Sequence, residues 1–248
     1  MRKVLVLFLF VVGLATPAGA DEVTVAVAAN FMPAFRAIAD KFEPATGHHI
    51  IAISGSSGKL YSQITNGAPF DVFFSADQER PLRLEDEGAA VKGSRFTYAV
   101  GRLVLWSPDP ALVTGEQALR RPLFKHLAIA NPQVAPYGVA ARQVMVKLGL
   151  WDQLQPRLVQ GESLGQTMGF ITSGNAELGF IALSQALDPA VKQTGSRWDI
   201  SRDLYDPIAQ DAVWLVNGRS KLGALALMEY VRGAAARRVI ERFGYGLK

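Results

Sequence analysis

The sequence predicts an α/β protein of two lobes that share a cleft, each lobe a mostly parallel sheet flanked by helices. Three observations predict it. Short apolar segments alternate with segments of helical periodicity from residue 23 to residue 75, and the alternation resumes after residue 100. No Gly-, Ser- or Pro-rich tract separates the two runs, so no flexible linker parts them. Hydrophobic residues make up 49% of the chain, enough to bury cores and to exclude bulk disorder.

Residues 23–28 (VTVAVA) read as a strand. Phe35, Ile38, Ala39 and Phe42 fall at i, i+3, i+4 and i+7, which predicts a helix over 33–42, with Pro33 suited to its first turn. Residues 50–54 form the next strand. Leu60, Tyr61 and Ile64 mark a short helix stopped by Gly67, and 72–75 (VFFS) a third strand. A β-α-β-α-β run of this kind implies parallel strands with helices on the faces. Beyond it, 98–106 reads as one long strand and 127–130 (LAIA) as a buried one. Ala141, Val144, Met145 and Leu148 mark a helix that ends at Gly149, and another helix follows Ser163. Strands at 178–183 and 212–216 and closing helices at 222–232 and 234–243 complete the chain.

The first twenty residues stand apart. Arg2 and Lys3 precede an apolar run over 4–15, then Pro17 and Ala18-Gly19-Ala20. That is the pattern of a secretory signal peptide cleaved after Ala20. The apolar run is shorter than the ~20 residues a membrane span needs. An exported, soluble, periplasmic protein is therefore expected. The chain has no cysteine, which excludes disulfides, zinc ribbons, iron–sulfur clusters, thiol catalysis and a lipid-modified cysteine anchor. Its formal charge is +4, and Arg2 and Lys3 supply half of that surplus. No basic stripe is visible, so no nucleic-acid partner is expected.

In open α/β sheets, ligands sit at the carboxyl ends of the strands. Four strand-to-helix loops stand out there: 28–31 (AANF), 54–58 (SGSSG), 131–138 (NPQVAPYG) and 161–166 (GESLGQ). Each opens a helix, whose N-terminus offers unpaired N–H groups and a partial positive charge. Four such termini converging on one cleft make an anion site without cations. Singly, each loop is also what an ordinary N-cap looks like. The 55–58 loop lacks the Lys-[Ser/Thr] ending of a phosphate-binding Walker loop and is one residue too short for a nucleophile elbow. The three histidines, His48, His49 and His126, do not form a metal pattern, and Asp71 and Asp77 are too far apart in sequence to argue a carboxylate pair. The four tryptophans are scattered, as core and rim residues are.

At these loops the chain resembles the periplasmic molybdate-binding proteins of ABC transporters. The resemblance lies in 26–31 (AVAANF), 55–58 (GSSG), 66–77 (NGAPFDVFFSAD), 101–107 (GRLVLWS), 131–138 (NPQVAPYG) and 174–180 (GNAELGF), in that order over essentially the whole mature chain. It implies the type II periplasmic binding protein fold, two lobes joined by two hinge crossings near 98–104 and 207–213. The implied division is 1–20 signal peptide, 21–98 and 207–248 one lobe, 99–206 the other. It further implies that molybdate or tungstate binds in the cleft and passes to a membrane permease, with no enzymatic step, no cofactor and a monomeric protein. Molybdenum would enter as an oxyanion, not as a bound cation. Residue by residue, the resemblance points to Asn30 with the backbone of Ala29, the Ser57 hydroxyl, the Tyr137 N–H, and the N–H of Leu164, where the family usually has Val. Some members add a Tyr hydroxyl after the strand Gly-Phe-x-Ala; this chain has Phe180-Ile181-Ala182-Leu183 there.

The chemistry of those residues fits. Molybdate at neutral pH is a dianion that only accepts hydrogen bonds, and N–H groups, a Ser hydroxyl and an Asn amide all donate. The one carboxylate in the loops, Glu162, lies at an edge. Phosphate carries a proton near neutrality and calls for an acceptor that the first three loops do not place. Sulfate is also acceptor-only, and the resemblance, not the donor chemistry, separates it from molybdate. A sulfate- or thiosulfate-type carrier is thus the nearest alternative. A secreted hydrolase using Ser56 or Ser57 is the alternative of another class, and it needs a base.

Overall fold

The computed structural model describes residues 19–191 and 195–247. The expected signal segment lies outside the described residues except for Gly19 and Ala20. Among the described residues, no helix is long and apolar enough to cross a membrane.

The first half runs β1 (Glu22–Ala28), α1 (Met32–Thr46), β2 (His49–Gly55), α2 (Ser57–Thr65), β3 (Val72–Phe74), α3 (Glu79–Asp86) and β4 (Phe96–Gly101). The second sheet is built from β5 (Leu103–Ser107), β6 (Leu127–Ala130), β7 (Leu158–Gly161), β8 (Leu178–Ala182) and β9 (Ser196–Asp199). Among them lie α4 (Pro136–Lys147), α5 (Trp151–Leu154), α6 (Leu164–Thr172) and α7 (Leu183–Ala186). The chain then returns through β10 (Ile208–Trp214) to α8 (Leu222–Arg232) and α9 (Ala234–Arg242).

The sheets have matching orders, β2-β1-β3-β10-β4 and β7-β6-β8-β5-β9. Each contains one strand antiparallel to both neighbours, β10 in the first and β5 in the second. The reason is topological. The chain leaves the first sheet at the carboxyl end of β4, on the cleft side, so β5 starts at the cleft and runs outward. The other strands of that sheet end at the cleft. β10 re-enters the first sheet by the same route. Every remaining strand therefore delivers its following loop to the cleft, which is where ligand sites form in such sheets.

Alternating residues of each strand face opposite layers. Leu103 and Leu105 join the core that packs under Val144 and Met145 of α4, whereas Val104 and Trp106 face Ile171 of α6. In the first sheet Val23, Val25 and Val27 face Phe35 and Ile38 of α1, and Ala26 faces Leu60 and Ile64 of α2. Both faces of both sheets are covered, as parallel strands require.

Several expectations change. Residues 98–106 are not one strand but two in different sheets, broken at Arg102, because the hydrophobic pattern continues while the chain changes lobe. Residues 99–101, expected in the second lobe, pair with β10 in the first sheet. The return crossing falls between Asp199 and Ile208, since β10 is already paired from Ile208 onward. Helices α1 and α2 and strand β10 begin earlier than the apolar spacing indicates, and β7, β9 and α3 carry too weak a pattern to have been read.

Candidate anion-binding site

A small cavity lies between the lobes, about 10 Å³ and lined by Ala28, Ala29, Asn30, Gly55, Ser56, Ser57, Ala76, Ala135, Pro136, Tyr137 and Leu164. All four loops singled out in the sequence meet here, and so do all five predicted residues. The loop after β3 contributes Ala76, which sequence reasoning missed. The signal was available, because 72–75 was read as a strand whose carboxyl end must also face the cleft. Space on this scale is about that of a single water, far below the roughly 300–1,000 Å³ of pockets for organic ligands.

The wall is made of helix beginnings. Ser57 and Leu164 are the first residues of α2 and α6, Tyr137 is the second of α4, and Asn30 lies just before α1. Pro33 and Pro136 occupy first turns, where a missing N–H costs nothing. The caps are Ser56, which accepts from the Lys59 N–H at 3.4 Å, and Ser163, which accepts from the Gln166 N–H at 3.3 Å. Capping is thus done by neighbours of the site residues. Among the described residues, no protein acceptor takes the N–H of Asn30, Ser57, Tyr137 or Leu164. The Ser57 hydroxyl accepts from the Ala76 N–H at 2.8 Å, which leaves its own proton to donate. No Lys, Arg, Asp, Glu or His lines the cavity. The arrangement therefore offers donors and helix-dipole field to an acceptor-only anion.

Two predicted contacts change character. The Ala29 N–H is already given to the Gly55 carbonyl at 2.9 Å, so Ala29 lines the cavity while Asn30 supplies the free N–H of this loop. The Asn30 amide, expected as a ligand donor, spends its two protons on Gln210 Oε1 at 2.8 Å and Tyr245 Oη at 3.1 Å. The Asn30 carbonyl accepts from Ser184 Oγ at 2.7 Å. Near Ala182, Gln185 of α7 donates to the Leu164 carbonyl at 3.0 Å. These side chains form a buried polar layer with Tyr98 and Tyr137. Burial pushes the Tyr98 and Tyr137 phenols well above their ordinary value and Tyr245 upward as well, so all three stay protonated at any physiological pH.

The lobes touch at the cleft mouth. The Gly58 N–H donates to the Val134 carbonyl at 2.9 Å, and Lys59 pairs with Glu162 at 3.1 Å. Glu162 also accepts from Asn131 at 3.2 Å. The one acid of the loops thus has a cation of its own beside it, and the Lys59 hydrogen bond and then Asn131 hold its carboxyl below the usual carboxylate range. A larger groove, about 370 Å³, opens beside the hinge and shares Ala76, Ala135 and Pro136 with the cavity. Arg80 pairs there with Asp77 and Gln143 with Asp206, Gln78 donates to Thr97 and Asp211, and carboxylates line the groove, unlike the cavity.

The fold and the site are those of a two-lobed binding protein. The chain belongs to the bacterial extracellular solute-binding protein family, whose pattern matches residues 23–246. It is 52% identical over 236 residues to the molybdate-binding protein ModA of Azotobacter vinelandii, covering 95% of this chain and 94% of that protein. To ModA of Rhodobacter capsulatus it is 48% identical over 235 residues, covering 95% and 92%. The solved structure of the Azotobacter vinelandii periplasmic molybdate-binding protein matches with a TM-score of 0.87 at 44% identity, over 91% of this chain and 99% of that one.

Proposed function

We propose that this protein captures molybdate or tungstate in the interlobe cleft and delivers it to the membrane permease of an ABC transporter. The observation that carries the reading is the ring of N–H groups at Asn30, Ser57, Tyr137 and Leu164 around a cavity with no charged lining. Such a ring favours a compact anion without a proton of its own. A protonated anion would want an acceptor, and the cavity wall places no carboxylate there. The near-full-length relatives named for molybdate point to that oxyanion over sulfate.

Donors come from both lobes, Asn30 and Ser57 from the first and Tyr137 and Leu164 from the second. An anion that bridges them stabilises the closed form by differential affinity, and the closed form is what a permease reads. No bond is made or broken. The hydrolase alternative lacks a base beside its nucleophile: no His, Asp, Glu or Lys lines the cavity that holds Ser56 and Ser57. Export through residues 1–20, cleavage after Ala20, a periplasmic location and a monomeric state belong to the same proposal.

Calorimetric titration with molybdate, tungstate, sulfate and phosphate tests it. Tight binding of the first two and weak binding of the others is expected. Sulfate binding as tight as molybdate would overturn the assignment.

A further inference from the structure

We propose that Gln210 is a positioning residue that locks the anion-contacting loops of the two lobes together, and to the hinge, in the closed form. The inference rests on the oxyanion-binding reading above and extends it to a residue that does not line the cavity. Gln210 is fully buried on β10, where the register with β4 shifts between Gln210 and Asp211. Its Oε1 accepts from Asn30 Nδ2 at 2.8 Å and from Tyr98 Oη at 2.9 Å. Its Nε2 donates to Tyr137 Oη at 3.2 Å.

Asn30 belongs to the first lobe and Tyr137 to the second, and each turns an unpaired backbone N–H over to the cavity wall. A single amide therefore ties the side chains of two residues whose main chains meet the anion from opposite sides. The hinge is part of the same packing. Gly101, the last residue of β4, comes so close that a Cβ there would lie 2.2 Å from Tyr137 Oη and 2.5 Å from Gln210 Nε2. The chain crosses between lobes immediately after that glycine.

The chemistry requires an amide. Asn30 needs an acceptor, Tyr98 shares its one proton between Gln210 and the Ser75 carbonyl at 3.0 Å, and Tyr137 Oη takes a donor; glutamine offers an acceptor and a donor on a single side chain. Methionine fills similar space and offers neither. An uncharged link is also compatible with a dianion held nearby, whereas a carboxylate would oppose it.

The test is a double-mutant cycle on sodium molybdate binding, using wild type, Gln210→Met, Tyr137→Phe and the pair. Tyr137→Phe removes only the hydroxyl and reads the same link from the other lobe, without touching the buried hinge strand. Each single variant is expected to weaken molybdate binding roughly tenfold, mainly through faster release, and the pair no more than the weaker single. Melting of the ligand-free proteins accompanies the cycle. Losses that multiply in the pair, or a lowered melting temperature with unchanged affinity, would reduce Gln210 to a packing residue and overturn the inference. If Gln210→Met does not fold, an unchanged affinity in Tyr137→Phe does the same. Wild-type protein that binds no oxyanion overturns both this inference and the function beneath it, so the two failures are distinguishable.

Discussion

Replacing Ser57 with alanine separates two jobs that one hydroxyl does. Ser57 is 1% exposed, and its Oγ accepts the Ala76 N–H at 2.8 Å while its proton is free for a ligand. A hydrogen bond to a charged partner is worth about 1.5–3 kcal/mol, so Ser57→Ala should weaken molybdate binding roughly 10–150-fold. The same change leaves the buried Ala76 N–H without its acceptor, at a cost of about 1–3 kcal/mol to the ligand-free fold. For a protein of this size that lowers Tm by roughly 2–12 °C. Calorimetric titration reads the first effect, and scanning calorimetry without ligand reads the second. Ser57→Thr keeps the hydroxyl and should recover most of the affinity. A Ser57→Ala protein with lowered Tm and wild-type affinity would refute the reasoning, because the hydroxyl would then serve only to hold the loop after β3.

Three further outcomes follow from the geometry. Gly58→Ala places a Cβ 3.0 Å from the Val134 Cα and carbonyl oxygen across the cleft mouth; stopped-flow release of molybdate should be about tenfold faster with ligand-free Tm unchanged, and an unaltered off-rate would discount that contact. Glu162 has a depressed pKa, so its contribution to closure is complete above the ordinary value of 4.5 and is lost as pH falls through the lower folded value. The affinity ratio of wild type to Glu162→Gln, measured by titration across pH, should hold steady near neutrality and approach one in acid; a ratio that grows in acid contradicts the sign. Asp71 is fully buried and accepts from the Thr24 N–H at 2.7 Å, Asn217 at 3.0 Å and Lys221 at 2.7 Å. Asp71→Ala should cost about 3–5 kcal/mol in denaturant unfolding, while molybdate affinity, read at the other end of the sheet, stays the same.

Much of this was legible along the chain. The runs VTVAVA and LAIA and the helix spacing of Phe35, Ile38 and Phe42 are local patterns, and their positions imply which loops reach the cleft. Local pattern does not say which of two adjacent serines caps α2, because Ser56 and Ser57 differ only in where the first helical turn begins; the resemblance singled out Ser57, and the fold makes Ser56 the cap. Nor was the fate of the Asn30 side chain legible. Its partners lie 180 and 215 residues away, and no local pattern announces such contacts.

By itself, then, the amino-acid order determined the alternation of strands and helices, the two-lobed plan and the set of loops that could hold a ligand, since periodicity and turn chemistry act over a few residues. Tertiary structure alone decided which N–H groups remain unpaired, that the Asn30 amide turns toward the hinge, that Lys59 neutralises Glu162, and that Gln210 joins the lobes. These outcomes depend on groups distant in sequence competing for the same hydrogen-bond partners inside a buried layer, and that competition exists only once the chain has folded.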